Sequence, residues 1–341
     1  MPNVTVKDIA RRARVSIGTV DRVLHKRGRA AKSTIVKVMK AAKEMDYQPN
    51  IFARNLSLAK KLRFGVVMPR SAQNGGYWKL ADRGLLDAGK EFAPFSVSTA
   101  AFRYDRYSRT SFEKAMRSAA EECPDGLLAA VVDPSAGIPL LTDIMSRIPV
   151  VLFDSYIPDV SPIAFIGQDS YQSGVLSGKL MSLAAGDGEI VAVQPVADDH
   201  HISDRIRGFA DRMGGPSRII VEPLDGNAED DAAVKALFLR HPDAKGFFVA
   251  SADVHRFATY AAAAGGKRER TFIGYDLTEV NRMHVETGMI DFIIDQKPDV
   301  QVRNGLTLLY RSVALKTPPE ADRMLMPLDI ITKENVRYYR A

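Results

Sequence analysis

Carboxylates recur at one kind of place in this sequence, directly after short apolar runs. Asp133 follows residues 126–132, Asp154–Ser155 follows 150–153, Ser251–Ala252–Asp253 follows 246–249, Asp276 follows 271–275, and Gln168–Asp169 closes a further run. A carboxylate accepts from two adjacent hydroxyls, a guanidinium donates to them, and a flat ring packs on the apolar face of a sugar. A cleft lined by such groups therefore suits a hydroxyl-rich ligand. Each strand-end Asp is also a natural cap for the helix that follows, so for any one of them the capping and ligand readings both stand. Together they favour a pocket.

The elements that must position them are legible from period. Apolar runs at 64–68, 126–132, 150–153, 189–193, 218–221, 246–249 and 271–275 alternate with helical stretches. Continuous apolar strands separated by helices imply parallel sheets covered on both faces, hence doubly wound α/β units. Such units bind ligands at the carboxyl ends of their strands, where these residues lie. At 341 residues and 46% apolar composition the chain is long enough for two or three domains. The single cysteine, Cys123, reads as a small buried hydrophobe in a reducing compartment. The first residues lack an apolar signal core and no later run approaches the roughly 20 apolar residues of a membrane span, so the expected location is the cytoplasm.

Charge separates a head from this body. Residues 1–62 hold 15 Lys/Arg against 4 Asp/Glu, a balance of +11, and the rest carries −5, giving the net +6. The head should bind a polyanion; the body should not. Thr5 with Asp8 resembles a capping box opening a helix through Ile9, Ala10 and Ala13. Ser16 can cap a second helix carrying Val20, Val23 and Leu24, and a third from Lys32–Ser33 is expected to turn Ile35, Val38, Met39, Ala42 and Met45 to one side. Two short helices across a tight turn suggest a helix-turn-helix, the plain alternative being a small helical bundle whose basic surface is merely solvated. Its second helix would present Ile17, Gly18, Thr19 and Arg22 to base edges, Arg22 being suited to a guanine O6/N7 pair. His25, Lys26, Arg29 and Lys32 would hold phosphates.

The head sequence Val4–Thr5–Val6–Lys7–Asp8–Ile9–Ala10, the stretch from Val15 through Leu24, and Tyr47–Gln48–Pro49–Asn50 resemble the N-terminal domain of the lactose-repressor-like (LacI/GalR) family of bacterial transcriptional regulators. The resemblance implies a hinge from Asn50 that folds on operator DNA, with Leu56, beside Ala53, as a minor-groove wedge; an ordinary linker residue is the plain alternative for Leu56. Asp21 stands where many members carry serine, which implies an altered operator preference. The body is similar to the family's effector domain and to periplasmic sugar-binding proteins. On that likeness Tyr77 and Trp78 are the pocket-lining aromatic pair, with a core role the plain alternative for Trp78; Arg205 is the ligand-contacting arginine, with a surface ion pair its plain alternative; Asp253 and Asp276 are ligand-binding aspartates, and Gln296 the hinge glutamine. Asp133 and Asp154 complete the expected effector site. Phe153–Asp154–Ser155 lacks the arginine that many sugar binders carry after the aspartate.

The resemblance implies a helix-turn-helix domain over 1–49 and a hinge over 50–62. It further implies two periplasmic-binding-protein-like subdomains, 63–161 with 296–322 and 162–295 with 323–341, crossing near Ser161, Gln296 and Arg323. Operator DNA, a sugar or polyol effector and a second copy of the chain are the expected partners, with no cofactor, metal or membrane. An enzyme on the same fold is the main competing class, yet the chain has no phosphate-cradling Gly-x-x-x-x-Gly-Lys-Ser/Thr, no Gly-x-Ser-x-Gly and no His-Glu-x-x-His. His200–His201 with Asp198–Asp199 reads as a solvated loop against a metal site. A transport binding protein would need export and no basic head. The expected function is a ligand-responsive repressor of carbohydrate or polyol genes.

Overall fold

The basic head forms three helices because its apolar residues recur at three- and four-residue steps: α1 (Val6–Ala13), α2 (Ile17–Leu24) and α3 (Lys32–Glu44). A computed structural model describes residues 6–24, 31–44, 61–195, 199–224, 231–265, 267 and 269–339, and the chain divides into two units, Met1–Lys60 and Lys61–Ala341. In the first, Ile9, Ala10, Val20, Val23, Val38, Ala41 and Ala42 close a small core. Ser16 accepts from the Thr19 backbone N–H at 3.2 Å, the cap expected of it. The third helix is rotated from expectation. Its buried face runs through Val38, Ala41 and Ala42, while Ile35 and Met39 are 40% and 52% exposed. The two alanines are the small side chains that let neighbouring helices close on α3, and the bulkier pair is left outside. Thr5, His25, Lys26, Arg29, Asn50, Ala53 and Leu56 lie outside the described residues, as does the side chain of Lys32.

The second unit holds two sheets. β1 (Leu62–Pro69), β2 (Val97–Tyr104), β3 (Gly126–Ala129), β4 (Val150–Phe153), β5 (Ala164–Gly167) and β11 (Arg323–Leu325) form one, in the order β11-β5-β4-β3-β1-β2 and parallel throughout. β6 (Ile190–Gln194), β7 (Ile220–Pro223), β8 (Gly246–Val249), β9 (Thr271–Tyr275), β10 (Phe292–Asp295) and β12 (Asp329–Ile331) form the other, ordered β12-β10-β9-β8-β6-β7. Only β12 runs antiparallel, against β10. The intervening helices are α4 (Tyr77–Phe92), α5 (Arg109–Glu122), α6 (Pro134–Met145), α7 (Ser170–Ala184) and α8 (His200–Arg212). They continue with α9 (Ala232–Arg240), α10 (Val254–Ala263), α11 (Glu279–Glu286) and α12 (Pro298–Val313). Strand, helix and parallel strand alternate as the doubly wound reading requires. Buried Phe64, Val66, Leu127, Leu128, Val151 and Phe153 centre the first lobe, and Val191, Val193, Phe247, Val249, Phe257 and Ile293 the second. Cys123 is buried, and burial pushes its thiol pKa up, as befits a structural residue.

The lobes exchange chain at three places, two of them later than the expected ones. β5 pairs with β4, so the first crossing follows Gly167 and not Ser161. β11 pairs with β5, so the last follows Leu325 and not Arg323. Hydrogen bonding to the first sheet holds both segments back. Gln168, on the first crossing, donates to Asp295 O on the second at 2.8 Å and to Pro327 O on the third at 2.9 Å, so one amide ties all three. Close contact of α7 with α8 fixes the second lobe's cleft wall. A Cβ at Gly174 would stand 2.1 Å from Arg205 O, and one at Gly208 2.1 Å from Tyr171 O, so only glycine allows this approach.

Candidate ligand-binding cleft

Two strand-end aspartates face each other from the two lobes, and both strain the backbone to do so. Asp154, after β4, has φ 70°, and Asp276, after β9, has φ 63°. Left-handed backbone at a non-glycine residue costs about 1–3 kcal/mol and concentrates at functional sites. Equivalent bonds hold both in place: Asp154 N–H donates to Ile166 O at 3.0 Å and Asp276 N–H to Ile294 O at 3.1 Å. Asn281 secures the second turn, its Nδ2 donating to Ala252, Tyr275 and Asp276 carbonyls at 2.9–3.1 Å.

From the first lobe, Tyr77 at the start of α4 donates its phenol to Asp154 Oδ1 at 2.6 Å. Burial, then the Asp154 charge, raises the phenol pKa well above the ordinary value, so Tyr77 remains a donor. Trp78 is 1% exposed and packs edge-on to Tyr77 and Phe153, with centroids at 4.8 and 6.2 Å. From the second lobe, Arg205 on α8 is also 1% exposed. Its guanidinium lies 3.9 Å from the Tyr275 ring centroid and donates to Ala250 O at 2.9 Å and Gln296 Oε1 at 2.5 Å. Gln296, on the middle crossing, passes this on by donating from Nε2 to both Asp276 carboxyl oxygens at 2.9–3.0 Å. Gln301 joins the halves, accepting from Asp154 N–H at 3.0 Å and donating to Gln296 O at 2.9 Å.

The structure thus brings Tyr77 to Asp154 and Arg205, Gln296 and Asp276 into one bonded chain. Asp253, buried after β8, accepts from Ser251 Oγ at 2.7 Å and makes no side-chain cap bond to α10. Asp133 does cap its helix, its Oδ1 accepting from Ser135 N–H at 2.9 Å and Ala136 N–H at 3.3 Å. Asp169 caps α7 in the same way. The two readings of a strand-end aspartate therefore divide by position: Asp133 and Asp169 cap, whereas Asp154 and Asp276 do not begin helices. Among the described residues no group of three or more His, Cys, Asp or Glu could hold a metal; His201 and Asp199 form no solvated loop but are buried at the start of α8, which Asp199 caps.

The lobes meet over this cluster. Gly75 approaches so closely that a Cβ there would lie 3.1 Å from Ala252 O, and Arg106 of the first lobe pairs with Asp199 of the second at 3.4 Å. Both of those side chains are almost wholly buried. Neither was drawn from the sequence as a site residue, nor were Gln301 and Asn281, although Arg106 obeys the same strand-end rule, standing just after β2.

Electrostatics divides the carboxylates. Burial raises Asp276 well above the usual carboxylate range, while Arg205 works against it. Asp295, also buried, is pushed up to about 6 from 3.8. A carboxyl whose folded pKa lies above its unfolded value makes the native state bind more protons, so stability falls as pH rises from about 4 through 6. Asp295→Asn removes that penalty and keeps an acceptor for the Leu277 N–H. Chemical denaturation at pH 7.5 should show a gain approaching 3 kcal/mol, about 1.36 kcal/mol per pKa unit, and at pH 4 little change.

Residues 64–317 match the periplasmic binding protein domain, and residues 5–50 match bacterial regulatory proteins of the lacI family. A solved structure from Bacteroides fragilis, assigned as a LacI transcriptional regulator, superposes with a TM-score of 0.76 at 30% identity, covering 82% of this chain and 100% of that one. The chain belongs to the LacI family of bacterial regulatory proteins. Over its whole length this LacI-family chain is also similar to the ribose operon repressor of Halalkalibacterium halodurans, 24% identical over 98% of this chain and 97% of that protein. A xylose/arabinose-binding protein of Sulfolobus acidocaldarius is 25% identical over 67% of this chain and 62% of its own length. Among the described residues no helix is long and apolar enough to cross a membrane.

Proposed function

We propose that this LacI-family protein is a cytoplasmic, homodimeric repressor that binds operator DNA through residues 1–49 and a hinge at 50–62, and senses a sugar or polyol between its two lobes without catalysing a reaction. One observation carries the sensing half. Trp78 Nε1, Ser155 Oγ and Arg205 Nε are buried without a hydrogen-bond partner around the cleft. Each such group costs about 1–3 kcal/mol when left unmet, a cost a hydroxyl-rich ligand offsets by supplying acceptors to the indole and guanidinium. The carboxyls of Asp154, Asp253 and Asp276 then accept from its hydroxyls, as the repertoire of the site allows.

The head supplies the other half. Arg22 is exposed on α2, its Nε resting on Gly18 O at 3.1 Å, and Ile17 is half exposed beside it. These are the positions that meet base edges in a helix-turn-helix. The ribose operon repressor and the xylose/arabinose-binding protein among its relatives support sugars as the ligand class. A thermal-shift panel of pentoses, hexoses, polyols, sugar acids and purines on the full chain tests the reading. A ligand at 100 times its Kd stabilises by about 2.7 kcal/mol, so one sugar or polyol class should raise the melting temperature distinctly. A shift with purines alone, or with nothing in the panel, would remove the sugar sensor.

A further inference from the structure

Beside the bonded cluster lies an open cavity of about 280 Å³, lined by Tyr104, Arg106, Tyr107, Phe112 and Asp133 of the first lobe and Asp199 of the second. Of the effector residues read from the sequence, only Asp133 borders it. Its most informative wall is Arg106. That side chain is 3% exposed, its Nε is buried without a hydrogen-bond partner, and the ion pair that it makes with Asp199 is long at 3.4 Å. A guanidinium has five donors in a rigid fork, and burying one of them unmet is costly unless something else accepts from it. The backbone around it is fixed in advance. Gln73 accepts from the Arg106 N–H at 3.1 Å and donates to Asp105 at 2.8 Å, and that carboxylate accepts from the Tyr107 N–H at 3.1 Å. Hydrogen bonds from Gln73 and then from the Tyr107 backbone hold the Asp105 pKa below the ordinary range.

We propose that this cavity is a second ligand subsite, and that the effector is a two-ring saccharide or glycoside whose outer ring lies between Arg106, Asp133 and Asp199. The proposal rests on the sugar-sensing reading of the main cleft. The two sites adjoin on one sheet edge: Arg106 and Asp133 follow β2 and β3, the two neighbours of β1, and Asp154 follows β4, which pairs with β3. At about 280 Å³ the cavity is close to the roughly 300 Å³ at which ligand pockets begin, room enough for a further ring. The lining repeats saccharide chemistry, with aromatic side chains from Tyr104, Tyr107 and Phe112, a donor fork from Arg106, and an acceptor in the Asp133 oxygen that does not cap α6. The carboxylates also decide against a phosphate or carboxylate on the outer ring. Asp133 and Asp199 would repel it, and Arg109, the other cation on the wall, is engaged by Glu113 at 3.0 Å. Arg106 reaches the ligand from the end of β2. It thereby supplies the guanidinium that Ser155 does not.

The test uses calorimetric titration of the full chain with glucose, galactose, xylose and arabinose, and with cellobiose, maltose, lactose, melibiose and xylobiose. The expected result is a disaccharide at least about tenfold tighter than either component sugar, the scale of one charge-assisted hydrogen bond. R106A and, independently, Y107A should bring that ratio close to 1. A structural role in lobe closure would weaken both ligand sizes together and leave the ratio standing, which would overturn the proposal. A protein that binds a monosaccharide but no disaccharide more tightly loses the second subsite and keeps its sugar sensor. One that binds neither loses both.

Discussion

Arg205→Ala should abolish effector binding while leaving a folded protein. Among the described residues the guanidinium is the cation in the bonded chain of Gln296 and Asp276, and its Nε is a buried donor without a hydrogen-bond partner. Truncating one partner of a buried charged hydrogen-bond set costs about 2–5 kcal/mol, roughly 30-fold to several thousand-fold in Kd at 25 °C. The free protein suffers less. Burial raises the Asp276 pKa well above the usual carboxylate range, so without Arg205 this carboxyl can stay protonated and no naked charge is stranded. Arg205→Lys should recover little, since a lysine ammonium cannot bond Ala250 O and Gln296 Oε1 in the same fork geometry. Titration of variant and parent with the sugar found in the thermal-shift panel checks this. A Kd within twofold of the parent would remove Arg205 from the site.

The second large effect is coupling between ligand and operator. The proposed ligand contacts come from both lobes, Tyr77 and Asp154 from one and Arg205, Asp253 and Asp276 from the other, with Gln296 on a crossing between them. Binding free energy therefore depends on the lobe arrangement. If that arrangement also differs between the operator-competent state and its alternative, linkage requires the ligand to change operator affinity and the operator to change ligand affinity by the same factor. Such couplings typically amount to about 1–3 kcal/mol, or 5- to 150-fold. Arg205→Ala should erase the coupling with operator affinity in the absence of ligand unchanged, because the substitution lies outside the head.

Much of this was legible in the sequence where a local pattern has a single physical meaning. Continuous apolar runs such as 150–153 and 246–249 are buried along their length, as parallel strands demand, and the rule that ligands sit at strand ends located Asp154 and Asp276. β2 escaped because it is an edge strand: Ser98 and Arg103 face solvent, the apolar run is broken, and with the strand unread its terminal Arg106 went unread too. The crossing points were displaced for a related reason. Only strand pairing shows that β5 and β11 belong to the first sheet, and pairing is not local in sequence. Gln301 and Asn281 were invisible because their roles lie in satisfying carbonyls and amides of distant turns. In the head, periodicity allowed two faces for α3, and the choice between Met39 and Ala41 was made by the helices packed against it.

The most direct measurement of the central claim is fluorescence anisotropy of a labelled duplex, selected from a random pool by the full chain, titrated at several salt concentrations with and without the sugar that raises the melting temperature. Affinity should fall steeply with salt, as phosphate contacts by the basic head require, and change 5- to 150-fold on adding the sugar, an effect that vanishes in Arg205→Ala. Tight, salt-dependent DNA binding that the sugar leaves unaltered would contradict it.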